Sequence, residues 1–113
     1  MATFSKHFLS GSTNGKQIAV SQTATLGNVV HTAHATSFDE VWVYATNTHT
    51  SAVQLTIEWG GATAADQKVI TINPKEGDVL IVAGLVLSGG VAVTAFADSA
   101  NKINISGYVN RIT

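Results

Sequence analysis

Apolar and polar side chains alternate strictly over Glu40–Asn47 and again over Ala52–Trp59. In the first stretch Val41, Val43 and Ala45 share one phase, while Glu40, Trp42 and Tyr44 take the other. In the second, Val53, Leu55, Ile57 and Trp59 alternate with Gln54, Thr56 and Glu58. A period of two marks a strand with one face in a core. Further strands are predicted over Lys16–Ala24, Asn28–Ala33, Lys68–Ile72, Val79–Leu87, Val91–Phe96 and Lys102–Ile112. Between the strands lie stretches such as SGSTNG, TNTHTS, WGGATAAD, NPKEGD and LSGG, rich in residues that favour turns. Ala62–Asp66 offers at most one helical turn.

Short strands at this spacing predict an all-β fold, a single-domain antiparallel β-sandwich or a jelly-roll-like barrel of about eight strands. Residues 1–15 form an N-terminal arm or a first strand, and 16–113 the domain itself. Glu40–Asn47 and Ala52–Trp59 are expected to pair as a hairpin, with NTHTSA at its tip and His49 exposed there. On that reading Glu40 and Glu58 are solvated near strand ends and Trp59 packs inside.

Val79–Ala97 runs 19 residues without a charge, close to the length of a membrane-spanning helix. Ser88-Gly89-Gly90 interrupts its middle, and glycine weakens a helix but suits a tight turn. A buried hairpin is the expectation, with no membrane span.

Composition reinforces the strand pattern. Val, Ile and Thr supply 35 of 113 residues, the β-branched types that fit a pleated surface. Charged residues are only 12%, against about 25% in an ordinary soluble domain, and the net charge is −1. A surface with so little repulsion favours self-association. The six Lys and Arg are scattered singly, without the positive cluster that phosphate binding needs, so no nucleic-acid partner is expected. The absence of cysteine excludes disulfides and thiolate metal sites. The opening MATFSKHFLSGS has no apolar run of signal-peptide length.

Candidate chemistry is thin. His31 and His34 are three apart, which puts them on opposite faces of a strand, with no third ligand close in sequence. Exposed strand and loop histidines are the expectation, and no metal or cofactor. No GxSxG elbow accompanies the serines. Glu40 and Glu58 on neighbouring strands are the one pairing that suits glycoside cleavage, which needs two facing carboxylates. No catalytic residue is assigned, and the chain is expected not to be an enzyme.

The aromatic residues invite two readings. Trp42, Tyr44, Trp59 and Tyr108 could make a platform that stacks on sugar rings. Alternatively Trp59 belongs to the core, and Trp42 and Tyr44 to a subunit contact, where aromatics are enriched. Phe4, Phe8 and Leu9 are apolar anchors in an otherwise polar N-terminal stretch. Such a segment can order on a partner or on a neighbouring subunit. The candidate interface set is therefore Phe4, Phe8, Leu9, Trp42 and Tyr44.

The stretches FLSGSTNGKQIAV, DEVWVYATN, LTIEWGG and INISGYVNRIT carry a resemblance over nearly the whole chain. They resemble small structural proteins of tailed bacteriophage particles, most of all capsid decoration (cement) proteins. The resemblance implies a non-enzymatic protein on the outside of an assembled head, made in the bacterial host cytoplasm. The implied partners are the major capsid protein or other virion proteins, and further copies of the chain, with a trimer favoured. The alternative it leaves is a tail, neck or carbohydrate-binding host-attachment module.

Overall fold

In the computed structural model, which describes residues 2–113, the alternating segments build two antiparallel sheets whose apolar faces meet in a β-sandwich. The strands are β1 (Phe4–Phe8), β2 (Ile18–Ala19), β3 (Asn28–Thr32), β4 (Phe38–Asn47) and β5 (Val53–Trp59). After a 3₁₀ turn at Ala64–Asp66 come β6 (Gln67–Ile72), β7 (Val79–Leu87), β8 (Ala92–Ala97) and β9 (Ile103–Ile112). The first sheet runs β1-β9-β4-β7, with β2 also on β9, and the second β3-β8-β5-β6.

The inward phase of each long strand fills the space between the sheets. Val41, Val43 and Ala45 of β4 face Val53, Leu55 and Ile57 of β5, joined by Val93, Ala95, Ile103, Ile105 and Val109. Each is fully buried, and burying a Val, Leu or Ile side chain contributes about 1.5–3 kcal/mol. Trp59 is half-buried and packs on the rim of this core.

Two expected hairpins are crossings between the sheets. β4 pairs with β7 and β9, whereas β5 pairs with β6 and β8. Alternation requires only that the apolar sides of β4 and β5 face one core, and opposing sheets meet that need as well as neighbouring strands do. Asn47 stabilises the crossing: its amide donates to the carbonyls of Ser51 (3.0 Å) and Ile72 (2.8 Å), and its Oδ1 accepts the His49 N–H (2.8 Å). His49 is half-buried in this link, not exposed. Val79–Ala97 likewise divides into β7 and β8 on different sheets, with Gly89 and Gly90 at positive φ between them. No helix among the described residues is long and apolar enough to cross a membrane.

The N-terminal segment is a strand. All five residues of β1 pair with β9, and Thr3 and Thr113 exchange backbone hydrogen bonds of 2.9 Å. The expected strand over Lys16–Ala24 shrinks to Ile18–Ala19, which pair with Ile105 and Asn104 of β9 beyond the end of β1.

Candidate functional site: the outer face of the first sheet

The outward phases of β1, β9 and β4 lie side by side, and strand register sets them in rows. Phe4, Ile112 and Phe38 form one row, Lys6, Asn110 and Glu40 the next, and Phe8, Tyr108 and Trp42 the third. Trp42 and Tyr108 stack with ring centroids 6.1 Å apart and planes 11° from parallel. The Lys6 ammonium lies 4.7 Å from the centre of the Tyr108 ring, a cation–π contact.

Trp42 Nε1 donates to Glu40 Oε1 at 2.7 Å, and Asn110 Nδ2 donates to the same oxygen at 3.1 Å. These two bonds hold the Glu40 carboxyl below its ordinary range. The Trp42 ring is seated by a glycine. At Gly84, in a bulged part of β7 and at φ +71°, a Cβ would stand 2.9 Å from Trp42 Cζ2. The indole therefore occupies the space that any other residue would fill.

Little covers this face. Phe4, Phe8 and Phe38 are 70%, 60% and 56% exposed, and Leu80 and Val86 of β7 extend the apolar area toward the sheet edge. A pocket of about 460 Å³ adjoins it, lined by Lys6, His7, Phe8, Gly15, Gly107 and Tyr108.

Four of the five interface candidates, Phe4, Phe8, Trp42 and Tyr44, lie on this one face. Leu9 does not. It is 1% exposed and belongs to the core, because the chain turns inward at the end of β1. Tyr108 and Phe38 complete the surface. Tyr108 was legible as an aromatic, whereas Phe38 carried no signal until strand register placed it beside Ile112.

The sandwich also holds two buried carboxylates. Asp39 accepts Arg111 Nε on Oδ1 at 2.8 Å, and on Oδ2 it accepts Arg111 Nη2, His31 Nε2 at 2.7 Å and the His34 N–H at 3.1 Å. Burial raises this carboxyl, but the Arg111, His31 and His34 hydrogen bonds and the Arg111 charge outweigh it and hold Asp39 at about 2. His31 Nδ1 accepts the Ser10 N–H at 3.0 Å, so the imidazole proton sits on Nε2 and faces Asp39. Both nitrogens are thus engaged, and neither is free to take a proton from a hydroxyl.

His31 is buried, against expectation, because a bulge between Val29 and His31 turns both Val30 and His31 inward. The missed signal lay in phase: Asp39 and Arg111 fall in register with the inward residues of β4 and β9.

Glu58 is the second buried carboxylate. Its Oε1 accepts the Gly27 N–H and the Thr94 hydroxyl, each at 2.8 Å, and its Oε2 accepts the Thr25 hydroxyl. Glu58 is 1% exposed, not solvated, because the Thr25–Gly27 loop folds over the outward side of β5. Burial raises its carboxyl and the three hydrogen bonds more than offset that, leaving it lowered. Glu40 and Glu58 stand on the outer faces of opposite sheets, so they do not form a pair across a cleft. No group of three or more His, Asp or Glu arranged to hold a metal occurs among the described residues.

No family model, curated protein or solved structure matches the chain.

Proposed function

We propose that this chain is a structural protein of a bacteriophage particle, a decoration protein that associates with the assembled head and stabilises it without catalysis. The carrying observation is the outer face of the first sheet. It is a broad aromatic and apolar surface with one cation and one anion in its three ordered rows, on a chain with few charges elsewhere. Exposed apolar area of this extent marks a contact with another macromolecule. The phage resemblance supplies the context: the major capsid protein or other virion proteins, and copies of the chain itself.

Mass spectrometry of purified particles tests this reading through copy number. A decoration protein is present in hundreds of copies, and a neck or tail-tip part in few (orders of magnitude set by capsid geometry). Absence from particles overturns it.

The stacked Trp42–Tyr108 pair beside the pocket favours a second reading, a carbohydrate-binding attachment module. A glycan array separates the two. Binding that is lost in Trp42→Ala with an unchanged fold supports the sugar platform, and a blank array supports the protein contact.

A further inference from the structure

We infer that the outer face of the first sheet binds a second copy of itself, about a two-fold axis that runs along β9. The inference rests on reading this face as a contact surface and takes nothing from the phage resemblance.

The rows of the face are matched about their central strand. Phe4 and Phe38 flank Ile112, Lys6 and Glu40 flank Asn110, and Phe8 and Trp42 flank Tyr108. Each row therefore carries like chemistry on both sides of β9 where the residues are apolar, and opposite charge where they are ionic. A two-fold axis lying between two copies and parallel to β9 exchanges the β1 and β4 positions without changing rows. Phe4 then meets Phe38 of the other copy, Phe8 meets Trp42, and Lys6 meets Glu40 twice, once on each side. The residues of β9 meet themselves on the axis, as an isologous contact requires.

The other in-plane axis, at right angles to the strands through the middle row, sets Lys6 against Lys6 and Glu40 against Glu40. Like charges in an interface are unfavourable, so charge selects the first axis. The ionic partners are also open to a newcomer. Both hydrogen bonds to Glu40 land on Oε1, and Oε2 accepts none among the described residues. Aligned packing of two sheets within about 30° is the ordinary way for such faces to meet.

The area sets the strength. β9 and β4 run ten residues and β1 five, at about 3.4 Å per residue and about 4.8 Å between strands. That is about 400 Å² per copy and about 800 Å² in total, below the usual size of a stable specific interface, so the dimer is weak, reversible and concentration-dependent. A three-fold ring joins two different patches and would leave this internal match unused.

Sedimentation equilibrium and native mass spectrometry of the full chain test the dimer by charge reversal. Wild type shows a monomer–dimer equilibrium. Lys6→Glu gives a face with two acids and Glu40→Lys a face with two bases, so each variant repels itself and its dissociation constant rises about tenfold or more. An equimolar mixture of the two satisfies both ion pairs and forms the heterodimer, resolved by mass. Melting curves confirm that each variant folds.

A second arm uses the absence of native cysteine. Asn110→Cys, on the axis, is joined into dimers by a short bismaleimide, whereas Thr71→Cys on the second sheet is not. A wild-type monomer at every concentration, or a mixture no more associated than its components, overturns the inference. A dimer that is absent from phage particles leaves the inference standing and defeats the decoration reading.

Discussion

The two sheets of this sandwich treat their outer faces differently. On the second sheet the outward phase of β5 is Gln54, Thr56 and Glu58, and the chain seals part of it with its own Thr25–Gly27 loop. The polar groups there are satisfied internally, by Gly27, Thr25 and Thr94. On the first sheet the outward phase carries Phe4, Phe8, Phe38, Trp42 and Tyr108, and no loop seals it in the same way. One face is partly closed by the chain. The other is left open, and the difference is built from side chains at equivalent, outward positions of the same strand period.

The largest effect is expected where the first sheet is tied to the second from inside. Asp39→Ala leaves Arg111 and His31 without their shared carboxylate, and removing one member of a buried charged pair costs about 3–5 kcal/mol. Chemical denaturation measures the loss. Asp39→Asn should also be costly, because donors converge on both oxygens and an amide nitrogen would meet one of them.

The same carboxylate predicts a pH dependence. Its folded value, about 2, lies below the ordinary 3.8, so its stabilisation is complete above the ordinary value. That stabilisation drains as pH falls from about 4 toward 2. The lowered Glu58 acts in the same direction. Unfolding free energy should therefore fall with acid through that window, and Asp39→Ala should flatten the slope. A slope unchanged in the variant would show that other carboxylates carry it.

Glu58→Ala should cost less, about 1–3 kcal/mol, by leaving the Gly27 amide without its acceptor under the loop. Glu58→Gln should be milder still, since the Thr25 hydroxyl can rotate to accept from the new amide. Hydrogen exchange at Gly27 reports whether the loop opens. If the loop stays protected in Glu58→Ala, the second face is closed by packing alone.

How much of this was legible follows from what alternation encodes. Period two revealed which side of each long strand faces a core, and Val79–Leu87 coincides with β7 to the residue. It does not encode which strand is the neighbour, so β4 and β5 were expected to form a hairpin and instead face each other. A bulge breaks the period, which hid the burial of His31. Of the open face, Phe4, Phe8, Trp42 and Tyr44 stood out as aromatics in a charge-poor chain. Their assembly into one surface depends on β9, whose register with β1 and β4 no local pattern contains. Leu9 shows the same limit from the other side, since an apolar residue in a polar stretch can be an anchor or a piece of core.

Phe4 and Leu9, only five residues apart, give the finest test of the contrast. Leu9→Ala removes a fully buried side chain and should cost about 2–5 kcal/mol. Phe4→Ser acts at a position 70% exposed, where substitutions away from special features usually stay within about 0.5 kcal/mol. The stability of the isolated chain should hardly change. Association should weaken, because Phe4 lies in the outermost row of the open face and has no role in the core. Denaturation and sedimentation on the same samples separate the two quantities. If Phe4→Ser moves neither, the exposed row is ordinary apolar surface and the contact is confined to the Trp42–Tyr108 side; if it moves association alone, the open face is held in reserve for a partner.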